Sequence, residues 1–302
     1  MYHGIINVYK ERGYTSFDVV AKLRGICGQK KIGHTGTLDP EAEGVLPVCL
    51  GNATKVCDML TDRDKEYRAV MLLGIDTNTQ DTTGEVLARG DVSGIAEEQI
   101  RRTIRSFEGE IEQIPPMYSA LKVNGQKLCD LARKGQVVER KPRRITIYDI
   151  SVNEIAAPRV TMTVKCSKGT YIRTLCHDIG EQLGCYGTLE YLLRTKAAGY
   201  CLEDALRLSE LQERKDRGTL AEVIRPVEDV FLSCPAFQTG ENSDKMLYNG
   251  NSLGKHQMFP VLEGMEIPER GWIRVRDSSG RFCGIYEYSR EKGCWRPVKM
   301  FL

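Results

Sequence analysis

A single carboxylate in a glycine-rich loop is the first group in this chain whose setting suggests chemistry. Asp39 lies in residues 31–40, which read KIGHTGTLDP. Gly33 and Gly36 permit a backbone that turns sharply or approaches a ligand closely. Pro40 lacks a backbone donor and disfavours a helical conformation for the residue before it. The stretch predicts a carboxylate presented on a loop, although GTLDP on its own favours a structural turn.

The sequence lacks the residue spacings that are typical of phosphate-binding loops and of metal sites. The glycine loop lacks the Gly-Lys-Ser/Thr ending of a phosphate-binding P-loop, which disfavours an NTPase. The 11 cysteines include no Cys-x-x-Cys pair, and no two of the 4 histidines have the spacing of metal ligands. Zinc sites usually contain closely spaced ligand pairs. We therefore expect reduced thiols, many of them buried, and no metal.

Ordered motifs along the whole chain give the Asp39 loop a context. Residues 31–50, KIGHTGTLDPEAEGVLPVCL, resemble the signature of the TruB family of tRNA pseudouridine synthases. Five further segments resemble other motifs of that family: 13–18 (GYTSFD), 65–68 (KEYR), 115–122 (PPMYSALK), 166–173 (CSKGTYIR) and 189–194 (LEYLLR). One departure is that Lys10 is followed by Glu11, where the family usually has proline. The missing proline would stiffen a turn and carries no chemistry.

The resemblance implies a set of residues around a uridine that has been flipped out of its RNA. Asp39 takes the place of the family's nucleophile, and Arg173 that of its cationic partner. Tyr67 would stack on the uracil and help to remove the C5 proton. The other positions implied to contact this nucleotide are His34, Tyr171 and Leu192. Without the family, Arg173 is typical of an exposed helix, Tyr67 of a half-buried strand, and His34 of a locally bonded loop residue.

The implied reaction makes few demands beyond a carboxylate and a shielded pocket. Pseudouridine formation cuts the N1–C1′ bond of uridine, turns the uracil and rejoins it through C5. No electron or phosphoryl group is transferred, so no cofactor is expected. Burial penalises a carboxylate's charge, and a partner such as Arg173 would compensate that cost. Asp39 fits three roles equally well: attack on C1′, addition to C6 of the base, or loss of the C2′ proton to give a glycal.

The implied substrate is the T arm of tRNA, in which uridine 55 is converted to pseudouridine. Extruding a stacked uridine costs on the order of a few kcal/mol, which contacts in the pocket must offset. RNA is otherwise recognised by shape and phosphates, and the cations expected to contact phosphates are Lys122, Lys127, Arg140, Lys141, Arg143 and Arg144. In the family this region, here about 115–144, forms a mobile thumb. The net charge of +2 does not itself indicate a nucleic-acid binder, and such basic clusters are usually solvated surface.

The elements that must position these residues alternate between strand and helix patterns. Predicted strands cover 5–8, 45–50, 65–73, 145–152 and 160–166. Predicted helices cover 16–27 (capped by Thr15, with Phe17, Val20, Leu23 and Cys27 on one face), 52–60, 97–107, 127–134, 170–183 and 202–225. The interleaving lacks a strict βαβ rhythm, which favours an α+β fold with a mixed, mainly antiparallel sheet flanked by helices.

Length and a change of texture predict two domains. At 302 residues the chain is long for one domain. After residue 233 glycine becomes more frequent, and short strands are predicted at 272–275 and 282–285. We therefore expect a catalytic domain over 1–233 and a small β-rich domain over 234–302, which the resemblance implies to be a PUA-like RNA-binding module. No apolar run approaches the ~18 residues of a membrane span, and no signal peptide is recognisable, so a cytoplasmic location is expected.

The leading hypothesis is an isomerase that forms pseudouridine 55 in tRNA. It would act by base flipping, as a monomer, without an obligatory protein partner or a membrane. An alternative from another class is an RNA-binding module or tRNA-folding chaperone whose catalysis is secondary. Relatives that work inside guide-RNA particles offer a further possibility. The chain has no added basic tail, which favours an enzyme that reads its target directly.

Overall fold

The chain forms two main β-sheets with helices packed against them. The computed structural model describes residues 1–123, 125–262, 268 and 270–302, so Asn124 of the predicted thumb lies outside the described residues. The strands are β1 Gly4–Lys10, β2 Ile32–His34, β3 Glu43–Leu50, β4 Lys65–Leu73, β5 Ile75–Thr77, β6 Val86–Arg89, β7 Gly109–Gln113, β8 Lys122–Val123, β9 Gln126–Lys127, β10 Arg143–Ala156, β11 Arg159–Cys166, β12 Gly187–Ala197, β13 Tyr200–Cys201, β14 Ala236–Thr239, β15 Met258–Pro260, β16 Trp272–Arg276, β17 Phe282–Ser289 and β18 Cys294–Met300. The helices are α1 Ser16–Cys27, α2 Cys57–Thr61, α3 Glu97–Arg105, α4 Leu128–Arg133, α5 Ile172–Leu183, α6 Leu208–Asp216 and α7 Glu241–Tyr248.

The larger sheet is mixed and mainly antiparallel, as predicted. Its order is β1-β3-β12-β4-β11-β10-β7, with β2 beside β3 and β13 beside β12. Its neighbouring strands are antiparallel except for β3 and β12, which run parallel where Leu193 faces Glu43. Helices α3 and α5 cover the β4–β11–β10 region, and α1 and α6 cover β1 and β3. The larger sheet is therefore covered by two apolar clusters, one over β4, β11 and β10 and the other over β1 and β3.

Strand β12 lies near the middle of the sheet, yet its sequence pattern did not predict it. Its pairing with β4 is irregular between Leu189 and Tyr191 and again between Arg194 and Lys196. Each irregularity inserts a residue and changes which face the following side chains occupy. The alternation of apolar and polar residues that marks a half-buried strand is therefore broken twice.

Three helix predictions were wrong in part. Phe17 does not lie on the buried face of α1, because its side chain is 64% exposed, although the Thr15–Asp18 capping box is present. The predicted helix over 202–225 is limited to α6 and short 3₁₀ turns on either side. The flanking backbone is used elsewhere, since Leu206 and Arg225 hydrogen-bond with the edge strand β1. Residues 51–56 are likewise 3₁₀ and only 57–61 are α-helical.

The smaller sheet forms the β-rich C-terminal end that was predicted. Its order is β15-β14-β16-β17-β18, and its core includes the fully buried Trp295 and Tyr286. Apolar residues from this end, Ile285 and Phe301, pack in one cluster with Ile5 and Val45 of the larger sheet. The two sheets are thus joined by a shared apolar contact. Across the described ranges, no helix has the length and apolarity needed to span a bilayer.

Candidate active site

Asp39 lies on the loop between β2 and β3, and that loop is tied down on both sides of it. The backbone N–H of Leu38 donates to the Ser16 hydroxyl at 2.9 Å, and Ala42 N–H donates to the Asp39 carbonyl at 3.1 Å. The Thr35 hydroxyl donates to the Pro47 carbonyl at 3.1 Å. The Asp39 side chain itself remains 44% exposed. The loop thus holds the carboxylate in place while leaving it accessible.

Lys10 stabilises the same loop through hydrogen bonds from its side chain to the backbone. Its side chain is fully buried, and Nζ donates to the carbonyl oxygens of Ala42 at 2.6 Å, Pro40 at 3.1 Å and Glu11 at 3.3 Å. Burial lowers the pKa of Lys10 to about 8, and the nearby Asp39 carboxylate opposes that shift. Gly13 N–H also donates to the Pro40 carbonyl. The segment that lacks the family's proline therefore still supports the Asp39 loop.

We expect Lys10→Met to lower the free energy of unfolding by about 2 kcal/mol, because buried carbonyl oxygens lose their donor. Since burial depresses the pKa of Lys10, the unfolded chain binds more protons between about pH 8 and 10.5. The difference in stability between wild type and variant should therefore grow as pH rises through this window. Urea unfolding followed by circular dichroism measures both effects, with the exposed Lys22→Met as control. Equal stabilities of the two variants would contradict this role for Lys10.

Arg173 stands in the first turn of α5 with all three of its guanidinium nitrogens engaged. Nε lies 3.0 Å from Asp39 Oδ2, and Nη1 lies 3.5 Å from Asp81 Oδ2. Nη1 also donates to the Thr79 carbonyl at 2.9 Å, and Nη2 to the Tyr118 carbonyl at 2.7 Å. The side chain is only 5% exposed, so it is not the exposed helix arginine that the local sequence alone suggests. It joins the Asp39 loop to two other segments.

Asp81 is a second carboxylate of the site, and the sequence patterns did not single it out. Its side chain is 18% exposed, and it follows β5 in a loop that looked simply polar. Asp81 Oδ1 accepts hydrogen bonds from the hydroxyls of Thr79 and Thr83, at 2.7 and 2.5 Å. Arg173 thus lies between two carboxylates and is attracted to both, and its single positive charge offsets one of the two negative charges. Only the threonine-rich surroundings in 77–83 hinted that this aspartate is held in place.

Tyr67 on β4 lies opposite Arg194 on β12, and both side chains are buried. Arg194 Nε donates to the Val45 carbonyl at 2.7 Å, and Nη2 approaches the Gly36 carbonyl at 3.3 Å. Burial raises the pKa of Tyr67, while the charge of Arg194 and its hydrogen bond to the phenol oppose that shift. The phenol is therefore neutral at pH 7. Arg194 was not predicted as part of the site, although it follows Leu192 at the two-residue spacing of one strand face.

Tyr171 immediately precedes α5 and is held through its backbone by Gln113. The Gln113 amide is 2% exposed; it accepts from Tyr171 N–H at 2.8 Å and donates to the Tyr171 carbonyl at 3.0 Å. Burial raises the pKa of the Tyr171 phenol, and the nearby Ser119 hydroxyl opposes this. The Tyr118 carbonyl accepts from Arg173, and Ser119 lies near the Tyr171 phenol, so the base of the predicted thumb meets residues 171–173 at two points.

A pocket opens where these elements meet. Among the predicted residues its lining includes Asp39, Arg173 and Leu192, and it also includes Arg12, Glu41, Ala42, Asp81, Thr82, Thr83, Leu189, Glu190 and Tyr191. Tyr67 packs in the same apolar cluster as Leu192 and Leu38.

His34 ends β2, and its Nδ1 accepts from Gly36 N–H at 3.3 Å. Burial and the charge of Arg194 lower the pKa of His34, so its imidazole is neutral at pH 7.

The predicted phosphate-binding cations are distributed along and beside the thumb. Lys122, Lys141, Arg143 and Arg144 are exposed, whereas Arg140 is half-buried and donates to the Pro115 carbonyl at 3.1 Å. Arg143 pairs across the sheet with Gln113, and its charge reaches the Tyr171 phenol. Arg143 therefore brings the basic cluster close to the site. Arg140 also stabilises the thumb itself through its hydrogen bond to the Pro115 carbonyl.

Two solved structures share this fold over nearly the whole chain. An H/ACA RNP bound to a substrate RNA containing 2'-deoxyuridine includes a chain with a TM-score of 0.73 and 25% identity, covering 99% of this chain and 85% of that one. A Cbf5-Nop10-Gar1 complex gives 0.73 and 28%, with the same coverage. The fold of this chain is therefore shared with a chain of an RNA-bound particle.

Sequence comparisons give the family. Residues 24–172 match the model of the TruB family pseudouridylate synthase N-terminal domain, and 173–231 match the tRNA pseudouridylate synthase B C-terminal domain. The chain is 53% identical to tRNA pseudouridine synthase B of Lachnoclostridium phytofermentans, covering 99% of this chain and all of that protein. The tRNA pseudouridine synthase B of Clostridioides difficile is 44% identical, with 99% of each chain covered. This protein belongs to the TruB family.

Proposed function

We propose that this protein converts uridine to pseudouridine at position 55 in the T arm of tRNA. The observation that carries the proposal is the ion pair between the accessible Asp39 and the buried Arg173 at the pocket. Relatives that match nearly the full chain are named for tRNA, which favours tRNA over a guide-RNA particle. A chaperone whose catalysis is secondary is not favoured, because a buried cation aimed at a loop carboxylate serves chemistry better than it serves RNA binding.

In this proposal Asp39 is the nucleophile and Arg173 is its cationic partner. A buried guanidinium offsets the cost of holding a carboxylate beside a nucleotide that excludes water. With 44% of its side chain exposed, Asp39 can still be reached by an extruded uridine. Its three chemical options stay open: displacement of uracil from C1′, addition to C6, or removal of the C2′ proton. Each ends with uracil rejoined to the ribose through C5 and one proton lost from C5.

Tyr67, Tyr171 and Leu192 are proposed to hold the uracil, with His34 contacting the flipped nucleotide or the gap that it leaves. Tyr67 would stack on the base and accept the C5 proton. Its phenol is neutral in the free enzyme, and the adjacent Arg194 stabilises negative charge on its oxygen. Tyr67 accepts the C5 proton as the phenolate, so the phenol first gives its own proton to water, and the charge of Arg194 favours that loss. Arg194 is placed to support this step without touching the base.

Mapping the modified position tests the proposal. An unmodified tRNA transcript is incubated with the protein, treated with a carbodiimide that labels pseudouridine, and read by primer extension. We expect one stop, corresponding to position 55, and none in a transcript with cytidine there. A stop at another uridine would overturn the assigned position, and the absence of any stop would overturn the activity.

Gln113→Leu is expected to slow single-turnover pseudouridine formation by about tenfold, because misplacing an active-site group by a fraction of an ångström costs one to two orders of magnitude. The change removes both hydrogen bonds to Tyr171 and frees the turn that carries Arg173. The measurement is a rapid-mixing time course at saturating tRNA. Gln182→Leu, at the exposed far end of α5, is the matched control. Equal rates in the two variants would show that Gln113 does not position the site.

We further propose that Lys122, Arg140, Lys141, Arg143 and Arg144 contact RNA phosphates from the thumb. Arg143→Gln/Arg144→Gln should lower the slope of log affinity against log salt by roughly one to two units, since each phosphate contact contributes about 0.7–0.9. Filter binding to a tRNA transcript over a range of salt measures it. Arg102→Gln/Arg105→Gln on the remote helix α3 removes the same charge. An unchanged slope in the thumb variant would identify these arginines as solvated surface.

The division into a catalytic domain over 1–233 and an RNA-binding domain over 234–302 is also proposed. Its support is that the smaller sheet begins at Ala236, directly after the 3₁₀ turn Val227–Phe231. The smaller sheet has its own apolar core around Phe237 and Trp295. The PUA-like character of this domain rests on the family resemblance.

A further inference from the structure

The outer face of α1 carries an aromatic side chain that packing within the chain does not explain. Phe17 stands in the first turn with 64% of its surface exposed. The Arg24 guanidinium, two turns further along, lies 5.8 Å from the centre of its ring. Ala21 and Gly25, on the same helical face, are exposed and small. These residues form a strip whose backbone is about 10 Å long from residue 17 to residue 24, given the 1.5 Å rise per residue, and the Arg24 side chain reaches back along it to the Phe17 ring.

This strip is attached directly to the segment that presents Asp39. Ser16, the neighbour of Phe17, hydrogen-bonds through its hydroxyl with both the N–H and the carbonyl of Leu38. At the other end Arg24 Nε donates to the Lys30 carbonyl at 3.1 Å. The strip therefore spans the two ends of residues 30–38. A nucleic acid that reaches Asp39 from this side must pass over it.

The charge around the strip is positive. Lys22, Arg24, Lys30 and Lys31 are all exposed. The acidic residue beside them, Asp18, accepts hydrogen bonds from the Thr15 N–H and hydroxyl at 2.8 and 2.6 Å. The nearby Glu11 and Glu41 are paired with Arg207 and Arg12. The strip thus carries four cations and one carboxylate beside an exposed ring, an excess of positive charge.

We propose that this strip of α1 binds a strand of the substrate RNA next to the flipped uridine. Phosphates would lie against Arg24, Lys30 and Lys31, and an unpaired base would stack on Phe17. Aromatic rings interleaved with cations are the usual means of binding single-stranded nucleic acid. The identity of the RNA rests on the proposed function, whereas the contact itself rests on the strip's geometry and charge.

Filter binding of an unmodified tRNA transcript tests this surface. Phe17→Ala should weaken binding at least fivefold, the lower end for loss of one stacked base, and Phe17→Tyr should retain it. Lys30→Ala/Lys31→Ala should lower the salt slope by about one to two units. Arg102→Ala/Arg105→Ala removes the same charge from α3 and should leave the slope unchanged.

Wild-type affinity in Phe17→Ala, or a wild-type salt slope in the lysine variant, would overturn the proposal. A loss of affinity in Phe17→Tyr equal to that in Phe17→Ala would also overturn it, since the ring would then not be stacking. Tritium release by the wild type is measured in parallel. Release with unchanged binding in the variants would reject this surface alone. Weakened binding without wild-type release would keep the RNA surface and reject the proposed function.

Discussion

Asp39→Asn is expected to abolish pseudouridine formation, by at least roughly 10³-fold, while tRNA binding stays within about threefold of wild type. An amide has the size of the carboxylate but neither its charge nor its nucleophilicity, and loss of a nucleophile commonly costs three orders of magnitude or more. The amide oxygen can still accept from Arg173, so the loop should keep its position. Release of tritium from C5-labelled uridine gives the rate, and filter binding gives the affinity.

Asp58→Asn is the matched control for this prediction. Asp58 is an exposed aspartate on α2, and the same chemical change there should leave the rate within about twofold. Turnover by Asp39→Asn above about a tenth of the wild-type rate would remove Asp39 from the chemistry. Loss of binding together with turnover would assign it to holding the RNA.

Arg173→Met is the second change with a large expected effect, and it should impair both turnover and stability. The variant leaves the carboxylates of Asp39 and Asp81 without their shared cation, and the carbonyls of Thr79 and Tyr118 without a donor. Removing one partner of a largely buried ion pair typically costs about 3 kcal/mol. We expect a loss of that size in the free energy of unfolding and a rate at least roughly 10²-fold lower.

A second substitution separates the charge of Arg173 from its geometry. Arg173→Lys keeps a cation near Asp39 but lacks the planar fork that reaches four partners. We expect it to recover part of the stability and little of the turnover. Arg217→Met, which removes an exposed arginine from an i,i+4 pair with Glu213, should change stability by less than about 0.5 kcal/mol. Turnover by Arg173→Lys close to wild type would show that charge alone suffices.

Local sequence patterns predicted those elements whose alternation is uninterrupted. Strand β4 matches its predicted bounds because every second residue from Tyr67 to Leu73 is buried. The capping box at Thr15 also formed as predicted. Strand β12 could not be predicted in this way, since two irregularities change its inward face. Likewise, the segments beside α6 are extended because β1 offers them hydrogen bonds, and no local pattern reveals a distant partner.

The residues of the candidate site likewise fall into those that sequence motifs predict and those that depend on distant partners. Asp39, Tyr67 and Arg173 were predicted from motifs, and the structure brings Asp39 and Arg173 into contact. Asp81, Arg194 and Gln113 were not predicted to belong to the site, because each acts through a residue far away in the sequence. Asp81 lies 92 residues from the arginine that it meets, and Gln113 lies 58 from Tyr171. Their positions follow from how β5, β7 and β12 pack around α5.

Tritium release from a tRNA transcript labelled at C5 of every uridine tests the central claim most directly. With wild-type protein we expect one equivalent of tritium per tRNA, because joining uracil through C5 expels the hydrogen at one position. A transcript with cytidine at position 55 should release none. No release from the uridine transcript, despite tight and saturable binding, would contradict the account and leave an RNA-binding protein whose Asp39 has another purpose.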